Sequence, residues 1–285
     1  MFNSYSNTDL RKFVKEGDYV NKLYRGNSYS LLKKLPDGII DIIVTSPPYD
    51  DLRDYEGVKT WDFQIFKKIA REIYRVMKEG GVVVWVVGDK TSNGGKSLTS
   101  FRQALYFQKL GFLMYDVIIY EKTGSAPPHP GRYFNSFEYM FVLSKNKKPK
   151  TINLLKDKKN HWAGCQTYGV ITRREKDGSL TQKERKTINE FGIRTNIWKY
   201  TNGKGFTAEE KVAHEHPAIF PEKLVEDHLL SWSDEGDLVL DPFGGSGTTV
   251  KIAKKLGRNY LYFEIVDEYC EVAKKRLMEV FKDGK

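Results

Sequence analysis

Apolar positions along the chain fall into two periods. Phe63, Phe66, Ile69, Ile73, Val76 and Met77 recur every three or four residues and predict one apolar helix face. Gly80-Gly81 then predicts the helix stop, with glycine at the C′ position. Two other runs lack that spacing. Ile39 to Val44 reads as a buried strand halted by Thr45-Ser46-Pro47-Pro48, and Val82 to Val87 is an almost uninterrupted apolar run. Strands of that kind are covered on both faces, the mark of a parallel sheet in an α/β fold. Ser100 to Leu110 predicts a helix, and Leu113 to Tyr120 and Phe137 to Leu143 predict strands. The first thirty-odd residues are polar and mixed, with a short helix expected within Lys22 to Leu35.

The rhythm fades between about Lys145 and Lys211, where Gly, Thr, Asn and Lys dominate around scattered aromatics. This stretch predicts an inserted module or long loops rather than a continuation of the sheet. The α/β rhythm resumes with a helix over Leu224 to Trp232, a strand over Leu238 to Leu240 and a Gly-rich turn. A helix over Thr248 to Leu256, a strand over Asn259 to Val266 and a last helix over Glu268 to Phe281 follow. No internal repeat is present.

Charge adds an address to that insert. The 285-residue chain carries a formal net charge of +10. Thirteen basic and four acidic residues lie between Lys145 and Lys186, so this segment alone carries +9. A localised positive field suits a polyanion, nucleic acid first, although a solvated Lys-rich surface reads the same way on charge alone. No apolar run is long enough to span a bilayer, and the opening residues lack a signal-peptide core. With only Cys165 and Cys270, neither a disulfide framework nor a cysteine-rich zinc site is expected, and both cysteines read as packing residues. A cytoplasmic enzyme or binding protein is the expectation.

Asp241-Pro242-Phe243-Gly244-Gly245-Ser246-Gly247-Thr248-Thr249 stands between a strand and a helix, where open α/β sheets bind ligands. Its glycines allow close backbone approach and positive φ. No Walker lysine follows. Gly245-x-Gly247, with Glu264 placed to accept ribose hydroxyls, points to an adenosine-containing ligand; a turn without a ligand is the bland alternative. Two features argue against a dinucleotide. Few residues follow the turn, and Asp241 would repel a pyrophosphate at that helix N-terminus. A cationic group, such as the amino group and sulfonium of S-adenosylmethionine, fits better.

Ser46-Pro47-Pro48-Tyr49 follows a buried strand and so also lies at a carboxyl edge of the sheet. Two prolines fix φ and remove two donors, leaving rigid carbonyl acceptors, a hydroxyl and an aromatic face. The Ser46 hydroxyl and Pro47 carbonyl can each accept one N–H of an exocyclic amine while Tyr49 stacks on the base. That grip favours an sp³-like nitrogen, and the ring face stabilises its developing positive charge.

Together the early Thr45-to-Tyr49 corner and the late Asp241-to-Thr249 turn resemble the DNA amino-methyltransferases. The catalytic motif comes first and the cofactor motif last, as in their β group. The resemblance covers roughly residues 22 to 143 and 214 to 280. It implies an α/β, Rossmann-like S-adenosylmethionine-dependent methyltransferase fold with circularly permuted motif order. Residues 22–144 would form the catalytic part, 145–211 the target-recognition insert and 212–285 the cofactor-binding part. Ser46, Pro47, Pro48 and Tyr49 take the catalytic positions. Asn27, Phe220, Asp241, Pro242, Phe243, Gly244, Gly245, Gly247 and Glu264 take the cofactor positions. Gly26-Asn27 resembles the family's Gly-Asp/Asn motif, with Asn in place of the commoner Asp. His216-Pro-Ala-Ile-Phe-Pro221 implies that Phe220 packs near the adenine. Pro127-Pro128 through Arg132 and then Phe137-Glu138-Tyr139 resemble the segment lining the flipped-base pocket.

The implied activity is methylation of a flipped base in double-stranded DNA, with Lys147, Lys148, Arg173, Arg174 and Arg185 as DNA-binding residues. Family members with Ser-Pro-Pro-Tyr mostly methylate cytosine N4, so cytosine is expected, with adenine N6 as the alternative. A non-catalytic DNA-binding module, an NAD-linked oxidoreductase and an RNA substrate also stay open at this point. The reading admits a cognate restriction enzyme and a homodimer, with neither specified by any residue. No metal is expected, since His214-x-His216 lacks a third ligand and direct transfer needs none. Asp50, Asp51, Arg53, Asp54 and Glu56 read as a charged loop beside the corner, and Asp89 as either a site residue or a loop-starting Asp.

Overall fold

The computed structural model describes residues 4–48, 61–124, 131–167, 171–183, 186–201, 207–208, 213, 219 and 221–280. The chain divides into two compact units, Met1–Asn153 with Ile197–Lys285, and Leu154–Asn196. In the larger unit the described residues form one nine-stranded sheet. Its strands are β1 (Ser4–Tyr5), β2 (Lys22–Arg25), β3 (Ile40–Thr45), β4 (Met77–Val87), β5 (Phe112–Lys122), β6 (Phe137–Lys145), β7 (Ile197–Tyr200), β8 (Leu238–Asp241) and β9 (Asn259–Glu264). They lie in the order β1-β2-β9-β8-β3-β4-β6-β5-β7. Neighbours are parallel except at β6, which runs antiparallel to β4 and β5.

Helices α1 (Asn7–Glu16), α2 (Ser28–Leu32), α3 (Phe63–Val76), α4 (Thr99–Leu110), α5 (Glu222–Trp232), α6 (Thr248–Lys255) and α7 (Asp267–Val280) surround the sheet, and a small hairpin pairs Thr91–Ser92 with Gly95–Lys96. Alternate positions of a strand point to opposite faces. Ile43, Val83, Trp85, Leu240 and Leu261 pack with α2, α3 and α4 in one core. Helices α5, α6 and α7 cover the strands on the other face. Every residue of β3 and of β8 is buried, as the absence of polar alternation in their cores requires.

The placement of β8 beside β3 determines where a ligand can sit. From β3 the chain proceeds through α3 to β4 on one side, whereas from β8 it proceeds through α6 to β9 on the other. The two connections leave their adjacent strands in opposite directions. A crevice therefore opens at the carboxyl ends of β3 and β8, the topological switch point.

Four local expectations change. Helix α3 is capped by Asp62, whose carboxylate accepts from the Ile65 amide at 2.7 Å, and it ends at Val76, before the glycines. Gly80-Gly81 instead lie within β4, at a break in the register with β3. A Cβ at Gly81 would meet Lys78 O at 2.9 Å and Asp41 O at 3.0 Å, so close backbone approach is what glycine supplies here. Lys22–Arg25 is a strand because β9 lies alongside it, and the helix is confined to Ser28–Leu32. Helix α1 was not expected at all. A Ser6–Asp9 capping box starts it and Gly17 at φ +74° ends it, but it fully buries little beyond Leu10, so its apolar signal is weak. Finally, Ile197–Tyr200 does continue the sheet, as an edge strand on β5. Tyr200 anchors it by donating to Asp227 of α5 at 2.8 Å.

The smaller unit, Leu154–Asn196, is narrower than the 145–211 stretch of faded periodicity. Lys158–Lys159 pairs antiparallel with Phe191–Gly192, and the Arg194 amide donates to Leu155 O at 2.9 Å. Its two ends thus run alongside one another, fastened by the Arg194–Asp157 ion pair. Between them Ile171–Arg174 and Leu180–Lys183 form a hairpin, turned at Gly178 with φ +86°.

Candidate active site

The two motifs meet at the switch point. Thr45, the last residue of β3, donates its hydroxyl to Asp241 Oδ1 at 2.7 Å. The Phe243 amide donates to the same oxygen at 3.1 Å, and the Thr249 hydroxyl reaches back to Val44 O at 3.0 Å. Asp241 is only 1 % exposed. Burial pushes its carboxyl up to about 6; the Thr45 and Thr249 hydroxyls and the Phe243 amide oppose that rise, and the nearby Glu264 charge adds to it.

The glycines of the turn are dictated by what lies beneath them. A Cβ on Gly244 would stand 2.2 Å from the Tyr262 ring, and one on Gly247, at φ +78°, 2.7 Å from Ala273 Cβ. Tyr262 is fully buried and donates its hydroxyl to Gly245 O at 2.7 Å, so a strand residue of β9 supports the turn from below. The glycine amides are already engaged. Gly244 N–H donates to Phe263 O, Gly245 N–H to Glu264 Oε2 and Gly247 N–H to Gly244 O, at 2.8–2.9 Å. A phosphate-binding nest needs those amides directed at the ligand. This turn instead presents two carboxylates nearby, an environment for a cation.

Glu264 accepts the amides of Ile265 and Val266 on Oε1 and of Gly245 on Oε2. Burial raises its pKa, and these three amides oppose the rise. The Gly26-Asn27 motif reaches the same place through the β2–β9 pairing. Gly26 N–H donates to Glu264 O at 2.7 Å and the Ser28 hydroxyl to Pro242 O at 2.6 Å. Asn27 caps α2, its side-chain oxygen accepting from Ser30 N at 3.2 Å. Residues from both ends of the chain therefore surround one turn.

Ser46 and Pro48 are partly exposed at the mouth of the crevice and Pro47 is buried. Trp61 packs its edge against Phe243, with ring centroids 5.3 Å apart. Phe243 in turn lies 6.0 Å from Trp85, whose indole N–H donates to Gln103. Tyr139 pairs with Val87 at the carboxyl end of β4 and meets Phe101 and Phe137, so the Phe137-Glu138-Tyr139 element lies along the same edge as Ser46. Asp89 is a structural cap: its carboxylate accepts from the Ser100 amide and hydroxyl at the start of α4.

Lys147 and Lys148 are not brought to this edge. Both are exposed, but they follow β6 at the amino-terminal end of β4, where Lys148 O approaches Gly80. Some seven residues of strand, roughly 23 Å, separate that end from the Ser46 corner. Arg173 and Arg174 stand in the hairpin of the smaller unit; Arg174 is exposed, and the Arg173 side chain lies outside the described residues. Tyr49, Phe220, Arg185, Pro127-Pro128, the Asp50–Glu56 loop, His214 and His216 also lie outside them. Among the described residues, no group of three or more His, Cys, Asp or Glu could hold a metal ion, and no helix is long and apolar enough to cross a membrane. Cys270 is buried as a packing residue, whereas Cys165 is exposed.

Thr45, Trp61, Ser28 and Tyr262 received no individual role from sequence. Tyr262 left one trace, its place in the apolar run Tyr260-Leu261-Tyr262-Phe263 three residues after the strand begins.

Comparison with known proteins gives consistent findings. The model of the family described as DNA methylase matches residues 40–275. The chain is 52% identical over 246 residues to the orphan methyltransferase M.BamHII of Bacillus amyloliquefaciens, covering 86% of this chain and 91% of that one. Among solved structures, the PvuII DNA methyltransferase (cytosine-N4-specific) superposes with a TM-score of 0.63 at 19% identity, covering 92% and 91% of the two chains. TTHA0409 of Thermus thermophilus, in complex with S-adenosyl-L-methionine, gives 0.60 at 23% identity, covering 92% and 94%.

Proposed function

Because the chain belongs to the N4/N6 DNA amino-methyltransferase family, whose methyl donor is S-adenosylmethionine, we propose that it methylates the exocyclic amine of a flipped base at specific sites in double-stranded DNA, with cytosine N4 as the target. The observation that carries this reading is the 2.7 Å contact between Thr45 and Asp241. It joins the residue before the Ser46 corner to the residue before the glycine turn, so amine and methyl donor would meet across one crevice.

The glycine turn, Glu264, Asn27 and Phe220 would hold the donor, which supplies an electrophilic methyl on a cationic sulfur. Asp241 and Glu264 set a negative potential beside it, and the occupied amides of Gly244, Gly245 and Gly247 disfavour a dinucleotide phosphate there. Extruding the base costs a few kcal/mol. The Ser46 hydroxyl and Pro47 carbonyl then accept the two amine hydrogens while Tyr49 stacks on the ring, aligning the nitrogen for in-line displacement. Positioning and electrostatics carry the rate, and a proton leaves nitrogen after transfer. Cytosine is favoured by Ser46 at the head of the corner and by the His216-to-Pro221 form. Double-stranded DNA is the proposed partner and the cytoplasm the proposed location.

Expression in a host without the modification, followed by base-resolved mapping of its DNA, tests the reading. N4-methylcytosine in one sequence context, lost with Ser46→Ala, is the expected result. N6-methyladenine alone would overturn the choice of base, and unmodified DNA would overturn the activity.

A further inference from the structure

Beneath the glycine turn lies a buried ion cluster that the proposed reaction does not use. Arg276 of α7 is 0 % exposed. Its Nη1 donates to Ser246 O at 2.9 Å, to Ser246 Oγ at 3.0 Å and to Thr248 Oγ1 at 2.9 Å. Its Nη2 donates to Glu222 Oε1, the same oxygen that accepts from Lys251 Nζ at 2.8 Å. Lys251 belongs to α6, and its side chain is 4 % exposed. One carboxylate is thus held by two buried cations from two helices.

Stability alone is a weak reason for such an arrangement. Taking charges out of water is expensive, and a well-packed apolar group of similar volume often serves the fold as well or better. What a guanidinium adds is geometry, because its donors are held in a rigid planar fork. Here one fork spans two segments. On one side it grips Ser246 and Thr248 of the glycine turn. On the other it grips Glu222, the first residue of α5, two positions after Phe220. Lys251 closes the triangle from within α6, the helix that the turn begins.

We infer that Arg276 is a positioning residue for the cofactor: through Glu222, Ser246 and Thr248 it fixes the glycine turn against Pro221-Glu222 at the start of α5, so that turn and helix start form one frame beside the cofactor. The inference rests on the reading that the glycine turn binds S-adenosylmethionine. Arg276 would touch no reacting atom, so its loss falls on cofactor affinity and leaves the chemical step largely intact. Lysine at this position keeps the charge but not the fork, and restores only part of the effect.

The test uses the full chain with S-adenosylmethionine, measuring its Kd by calorimetry and kcat and both KM values on a DNA substrate. Arg276→Met should raise the Kd and KM for S-adenosylmethionine by about ten- to a hundredfold. The kcat at saturating cofactor and the KM for DNA should stay within about threefold of the parent. Glu222→Gln should weaken the cofactor in the same way by a smaller factor, with Arg276→Lys intermediate; these two carry the test if Arg276→Met does not fold. Unchanged cofactor affinity in folded variants would overturn the inference, as would equal losses in kcat, cofactor affinity and DNA affinity. Asp241→Ala separates the two readings. If it weakens the cofactor and the Arg276 and Glu222 variants do not, the positioning role alone fails; if Asp241→Ala binds the cofactor normally, the site assignment falls and the inference with it.

Discussion

Thr45 and Asp241 are separated by 196 positions in sequence and by 2.7 Å in space. The hydroxyl at the end of β3 holds the carboxylate at the end of β8, so the strand that presents Ser46 is referenced to the strand that presents the glycine turn. Thr45→Val removes that donor while keeping the shape, and leaves a buried carboxylate short of one partner. A loss of about 1–3 kcal/mol in folding stability is expected, with weaker cofactor binding and Thr45→Ser close to the parent. Thermal unfolding with and without S-adenosylmethionine checks this, and equal behaviour of the Val and Ser variants would refute it.

Asp241 makes stability and cofactor binding respond to pH in opposite directions. With its carboxyl raised from 3.8 to about 6, the folded chain retains a proton that the unfolded chain has released. Its contribution to stability is therefore present below about pH 4 and lost as pH rises through about 6, amounting to about 3 kcal/mol. A cationic ligand favours the ionised form, so affinity for S-adenosylmethionine should increase over the same interval. Asp241→Asn should flatten both dependences and weaken cofactor binding. Parallel denaturation and calorimetric series from about pH 4 to 7 supply the comparison; a parent and variant with matching slopes would remove Asp241 as the responsible group.

At Gly244 and Gly247 the constraint is steric rather than electrostatic. Gly244→Ala drives a Cβ toward the buried Tyr262 ring, and Gly247→Ala adds contact with Ala273 to an unfavourable positive φ. Each should cost about 1–3 kcal/mol and reduce cofactor affinity. Ala273→Gly should partly rescue Gly247→Ala, because it removes the 2.7 Å contact with Ala273 Cβ but neither the 3.0 Å approach to its Cα nor the dihedral. Absence of any rescue would mean that the contact with Ala273 is not the source of the loss.

The positions of the cations predict unequal effects on DNA. Arg174, on the exposed hairpin of the smaller unit, should weaken DNA binding when changed to Ala and lower the salt dependence by about one counterion. Lys148→Ala, at the edge of the sheet remote from Ser46, should change neither. Binding titrations over a salt series distinguish the two, and equal losses would place DNA against the amino-terminal end of β4 as well as the hairpin.

What could be read from sequence was what is governed locally. The spacing of Phe66, Ile69 and Ile73 specified α3, the apolar runs specified β3 and β4, and prolines and glycines marked the corner and the turn. These signals need only a helix or strand period and the φ preferences of a few residues, all properties of neighbours along the chain. The candidate Ser46 corner and glycine turn were legible for the same reason. Tertiary structure decided everything that depends on a distant partner. Lys22–Arg25 and Ile197–Tyr200 are strands because β9 and β5 offer edges to pair with. Gly80-Gly81 lie in a strand rather than at a helix end because the Asp41 backbone passes so close. Lys147 and Lys148 belong to the far end of β4 although they lie within the basic Lys145–Lys186 stretch. The seam itself is of this kind: the Thr45–Asp241 hydrogen bond and the Arg276 fork exist only once β3 lies beside β8 and α7 has packed under the turn, and no period or local preference along the chain encodes such contacts.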